Sequence, residues 1–182
     1  PCHRKALLAD VLALMVGQQS VLNQWMQEVP LPHATLLMGK GLFNERHPAF
    51  AGTYSGGASH PQTREAIEDA EVIICIGTCF TDTITAGFTH HIPLEKSIEI
   101  QPLAARVGNR RFSGISMQEA VNALMSLNRA FSAQWPIQPC WVMKSASAEN
   151  GHVTQRHLSQ TQGKYLQPHD IFLGAPGTAG FG

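Results

Sequence analysis

The run Val72-Ile73-Ile74-Cys75-Ile76 is apolar at every position, almost wholly β-branched, and closed by Gly77. A strand with one wet face alternates; an unbroken apolar strand must be covered on both faces. Such strands belong to parallel sheets sandwiched between helices, and further candidates occur along the chain. Lys5–Leu12 and Ala34–Met38 are apolar runs, the second closed by Gly39, and Ile171-Phe172-Leu173 precedes Gly174. Ser97–Gln101 alternates instead, which places it nearer a sheet edge.

Between these runs the period changes. Val21, Leu22, Trp25, Met26 and Val29 fall on one helical face over residues 18–29, and Pro30 and Pro32 end that helix. Ser59, with Pro61 in the first turn and Gln62 three residues on, predicts a capped helix to about Asp69. Ser116 and Glu119 form a second capping box before a helix whose face is Met117, Val121, Leu124, Met125 and Leu127. Thr154 caps a third helix, to about Tyr165. Residues 39–58, rich in glycine, read as one long loop. The alternation predicts an α/β fold: a doubly wound parallel sheet with helices on both faces, Rossmann-like. It occupies residues 1–134, followed by a Pro- and Ser-rich linker at 135–151 and the beginning of another unit at 152–182.

Composition narrows the function classes. Lys and Arg total 13, as do Asp and Glu, so there is no basic surplus to hold nucleic acid. No apolar stretch approaches the ~20 residues that span a bilayer. Four cysteines in 182 residues make no disulfide framework, which fits a reducing, cytoplasmic setting. Charged residues are only 14%, as expected of a surface partly covered by partner domains.

Doubly wound sheets bind ligands beyond the carboxyl ends of their strands. Those ends carry Gly39-Lys40-Gly41, Gly77-Thr78 and Gln101-Pro102. A stand-alone module for FAD, ADP or NAD is one reading of this crevice. Against it, the Gly-x-Gly-x-x-Gly fingerprint is absent after the first strand, and the glycines lack Walker A spacing. His90-His91 point to opposite sides of an extended chain, so they read as loop residues and no metal site is expected. Cys75 reads as a core thiol and Cys79 as a more exposed one. Asp82, among Thr81, Thr83 and Thr85, either satisfies loop backbone or meets a neighbouring domain. Ser55 lacks the strand–turn–helix setting of a nucleophile elbow.

Several motifs, in order, carry a family resemblance. They are Ala34-Thr-Leu-Leu-Met-Gly-Lys-Gly-Leu-Phe-Asn-Glu-Arg46, Gly52-Thr-Tyr-Ser-Gly56, and Ile76-Gly-Thr-Cys-Phe-Thr-Asp-Thr-Ile-Thr-Ala-Gly-Phe-Thr-His90. Together they resemble the central domain of thiamine-diphosphate-dependent 2-oxo-acid decarboxylases, nearest to the bacterial indolepyruvate decarboxylases. Ile98–Pro102 and Ala104–Gly108 look like the same subgroup, and residues 154–182 resemble the start of that family's C-terminal diphosphate-binding domain.

The resemblance implies an excised central piece of a cytoplasmic homotetrameric enzyme. That enzyme would use thiamine diphosphate and Mg²⁺ to turn indole-3-pyruvate, or a related 2-oxo acid, into an aldehyde and carbon dioxide. Its catalytic glutamate, tandem histidine and Gly-Asp-Gly metal motif would lie in N- and C-terminal domains outside this stretch, since no Gly-Asp pair occurs here. This piece would then be an inactive scaffold and assembly domain, binding no cofactor or metal alone. Only Gly177 and Thr178 match family residues that approach the cofactor. Ala175-Pro176 precede them where relatives carry polar residues, a change that removes a polar group beside the cofactor.

Overall fold

A computed structural model of the chain describes residues 4–131, 154–167, 169–171 and 173. Among them, seven strands form one sheet: β1 (Lys5–Ala9), β2 (His33–Thr35), β3 (Phe50–Thr53), β4 (Val72–Ile76), β5 (Ser97–Gln101), β6 (Ala104–Val107) and β7 (Arg110–Ser113). The order across the sheet is β3-β2-β1-β4-β5-β6-β7. The first five are parallel, and β6 and β7 close the far side as an antiparallel hairpin. The helices are α1 (Val11–Met15), α2 (Gln19–Glu28), α3 (Pro61–Glu68), α4 (Met117–Ala130) and α5 (Gln155–Tyr165).

The unbroken apolar strands have the two-sided burial that their composition requires. Leu7 and Ala9 of β1, with Ile74 and Ile76 of β4, face a core built with Leu22, Trp25 and Met26 of α2 and Val121 and Met125 of α4. Ala6, Leu8, Ile73 and Cys75 face the opposite way, toward Tyr54, Ile67 and Ala70. This is the doubly wound plan. The chain divides into two compact units, residues 1–141 and 142–182. The expected linker at 135–151 lies outside the described residues.

Several boundaries move for identifiable reasons. β1 stops at Ala9, not Leu12, because its partner β4 stops opposite it at Ile76 and the chain turns at Asp10 into α1. β2 begins at His33 and gives way after Thr35 to a short 3₁₀ turn at Leu37–Gly39. The loop expected over 39–58 contains the edge strand β3, which its glycine content concealed. Ser59 does not cap α3; its hydroxyl donates to the Gly56 carbonyl and accepts the Ser55 amide at 2.7 Å, closing a turn before the helix. β5 is internal, not near an edge, since the β6–β7 hairpin extends the sheet beyond it.

On α4, Met117, Val121 and Met125 are buried as expected, but Leu127 is exposed and Asn128 is buried in its place. Asn128 donates to the Val29 carbonyl and accepts from Lys5 Nζ, which makes its burial tolerable. The Ser116–Glu119 capping box is present in full, and Thr154 caps α5 by accepting the His157 amide. Ile171 and Leu173 are not in a strand and are exposed.

Candidate functional site at the carboxyl end of the sheet

Strand order reverses between β1 and β4, so the crevice of a doubly wound fold lies beyond Ala9 and Ile76. Asp10 sits at that point and is fully buried. Burial pushes its carboxyl pKa up, against the backbone amides of Val11, Cys79 and Gly39, which face it and favour the charged form. None of those amides closes to a full hydrogen bond with either carboxylate oxygen.

Two glycines draw the surrounding loops together. A Cβ on Gly39 would lie 2.7 Å from Asp10 Cα. Gly77 has φ +63°, and a Cβ there would collide with the Ala13 backbone nitrogen in α1. These glycines permit close packing of strand ends, and the amides around them face the protein's own carboxylate. Gln101 Nε2 donates to the Thr78 carbonyl at 3.0 Å, tying the end of β5 to the same point. Cys75 is fully buried in β4, and burial, then Glu99, push its thiol up to about 12. That is the inert core thiol expected, while Cys79 is exposed.

The polar cluster after β4 serves its own loop. Asp82 Oδ1 accepts the Thr83 amide at 2.7 Å, and Thr85 Oγ1 donates to Thr81 O at 2.6 Å and accepts the Phe88 amide. Thr89 Oγ1 accepts the Gly57 amide at 2.8 Å, pinning this loop to the turn after β3. His90 and His91 are both engaged by this loop's surroundings. The His90 ring stacks on Phe80 at 4.7 Å, whereas the His91 amide donates to Glu68 Oε1.

Glu68 is a junction that the sequence reading missed. It accepts the buried Tyr54 hydroxyl at 2.7 Å and pairs with Arg64 at 2.8 Å. Burial alone would raise its pKa, but the bonds from Tyr54, Arg64 and His91 outweigh burial and hold it below the usual carboxylate range. Burial and the neighbouring Glu68 push the Tyr54 phenol up. The only available signal for Asp10 was a carboxylate interrupting the apolar run Lys5–Leu12.

Residues 3–127 match the family described as thiamine pyrophosphate enzyme, central domain. The chain belongs to this family. It is 31% identical to an alpha-keto-acid decarboxylase of Mycobacterium avium, over 99% of this chain and 32% of that protein. The alpha-keto-acid decarboxylase of Mycobacterium tuberculosis H37Rv is 30% identical over 99% of this chain and 33% of its own length. A pyruvate decarboxylase of Candida glabrata is 27% identical over 97% of this chain and 32% of its own. The chain thus spans about a third of the length of the curated relatives it matches.

The family name implies thiamine diphosphate. Among the described residues, no three His, Cys, Asp or Glu side chains group as metal ligands. The converging amides at the strand ends face Asp10. The described part of this central domain therefore does not fit a thiamine diphosphate–Mg²⁺ site. Gly177 and Thr178, assigned to the cofactor by resemblance, lie outside the described residues.

Proposed function

We propose that this chain is the central scaffold domain of a thiamine-diphosphate- and Mg²⁺-dependent 2-oxo-acid decarboxylase. Indole-3-pyruvate, or a related aryl 2-oxo acid, is the substrate, released as the aldehyde and carbon dioxide. The carrying observation is the match of residues 3–127 to a central-domain family whose aligned relatives are named as decarboxylases. The indolepyruvate reading rests on the motif wording from Ala34 to Gly108. When bound, the cofactor supplies the electron sink for loss of carbon dioxide. The domain's own part is mechanical: its packed strand ends hold the loops at the crevice in one arrangement.

In this reading Gly177-Thr178 approach the cofactor, and N- and C-terminal domains complete a cytoplasmic homotetramer. Substrate choice is tested on the intact protein by comparing kcat/KM for indole-3-pyruvate, phenylpyruvate and pyruvate. The expected result is at least a tenfold preference (roughly 1.4 kcal/mol) for an aryl substrate. Preference for pyruvate would overturn the substrate assignment while leaving the family untouched.

A further inference from the structure

His33 opens β2 and is fully buried, yet it is an ionisable group with no part in the crevice. Its Nδ1 lies 2.7 Å from the Leu31 carbonyl, so that nitrogen carries the proton and donates. Nε2 is buried with no hydrogen-bond partner. Around the ring stand Phe43 at 4.7 Å, Phe50 at 5.6 Å and His47 at 5.2 Å between centroids. Leu7 of β1 and Phe50 of β3 flank it in the sheet. Of these neighbours only His47 titrates, and its charge disfavours a second charge on His33. Glu45 and Arg46, beside His47 in the chain, are exposed.

His47 has the complementary arrangement. Its Nδ1 accepts the Ala49 amide at 3.2 Å, which requires a bare Nδ1 and a proton on Nε2. The same turn carries the sheet contacts of the edge. The His47 carbonyl accepts the Phe50 amide at 2.9 Å, and the Ala49 carbonyl accepts the His33 amide at 3.0 Å. A proton added to His33 creates a buried cation with an unmet donor. A proton added to His47 Nδ1 sets donor against donor at Ala49.

The least disruptive relief is at the margin. β3 has four residues, pairs only with β2 among the described residues, and shifts register at His33/Ala34. We propose that His33 and His47 form an acid-sensitive fastening of the sheet edge, whose protonation releases residues 43–53 while β1, β4 and β5 stay paired.

Burial drives the folded-state pKa of His33 from 6.5 down to about 4. Opening lets it return to the ordinary value, so opening grows about twentyfold between about pH 7 and about pH 5. The experiment is hydrogen exchange read by mass spectrometry on the intact protein, with rates corrected for intrinsic pH dependence. The expected result is a roughly twentyfold loss of protection over 43–53 between those pH values, with 5–9 and 72–76 unchanged. His33→Asn keeps a donor for Leu31 and removes the larger of the two titrations, leaving that of His47, so its loss of protection over 43–53 should fall well below twentyfold. Proton NMR of the wild-type His33 ring needs no variant: it should stay neutral until 43–53 opens. Unchanged protection over 43–53, equal loss in all three segments, a pH response undiminished in His33→Asn, or titration of His33 near pH 6.5 without opening would each overturn the proposal.

Discussion

At the residue scale, close approach and buried charge set the constraints. Gly77 combines φ +63° with a backbone wall at Ala13, whereas Gly108 has φ +54° and open space around it. Gly77→Ala should cost about 3 kcal/mol or more in urea unfolding, and Gly108→Ala only about 1 kcal/mol. Equal losses would show that backbone conformation, not packing at the crevice, dominates. Glu68 is held below the usual carboxylate range, so its contribution is present above its unfolded value and is lost as pH falls through the folded one. Tyr54→Phe removes one of its donors and should cost about 1–2 kcal/mol near pH 7. The difference from wild type should shrink in acid, as urea titrations at several pH values would reveal. Asp10 runs the other way: its raised folded pKa stabilises the fold at low pH, an effect lost as pH rises through that value. The two carboxylates differ because Glu68 has three donors in hydrogen-bond contact, and Asp10 has three amides that only face it.

At the scale of elements, local signals carried what they physically determine. The Ser116–Glu119 pair announced the start of α4 because a capping box is a contact within four residues. Ser116→Ala should lower stability by about 1 kcal/mol, checked by chemical unfolding. An unchanged midpoint would mean that packing alone holds the first turn. β4 was legible from end to end because burial on both faces leaves no polar position in it. β3 was not: an edge strand of four residues containing Gly52 has no periodicity to read, and only its pairing with β2 makes it a strand. The β6–β7 hairpin did carry a signal, the Gly108-Asn109 pair between two short runs, and it was passed over. The Ser59 hydroxyl had a competing partner in the Gly56 carbonyl, a choice that tertiary packing of the preceding turn decides.

At the scale of the whole molecule, the parallel strands and their two-faced core follow from the chain's apolar pattern, whereas the reversal between β1 and β4 is set by the order in which the strands pair. The crevice itself was only half legible. Its glycines were visible in the sequence, but the Gly39 and Cys79 segments, which bring amides to Asp10 beside that of its neighbour Val11, meet only in three dimensions. That meeting argues against nucleotide binding. ADP, FAD and NAD should each leave the melting temperature of the 182-residue chain unchanged, and a saturable rise with any one would revive the nucleotide-module reading. The curated relatives that the chain matches are about three times its length. The most direct measurement is carbon dioxide release from 2-oxo acids by the intact protein, with and without added thiamine diphosphate and Mg²⁺. The account predicts turnover that requires the cofactor and yields the matching aldehyde. Full activity after exhaustive cofactor removal, or no decarboxylation of any 2-oxo acid by cofactor-loaded protein, would contradict it.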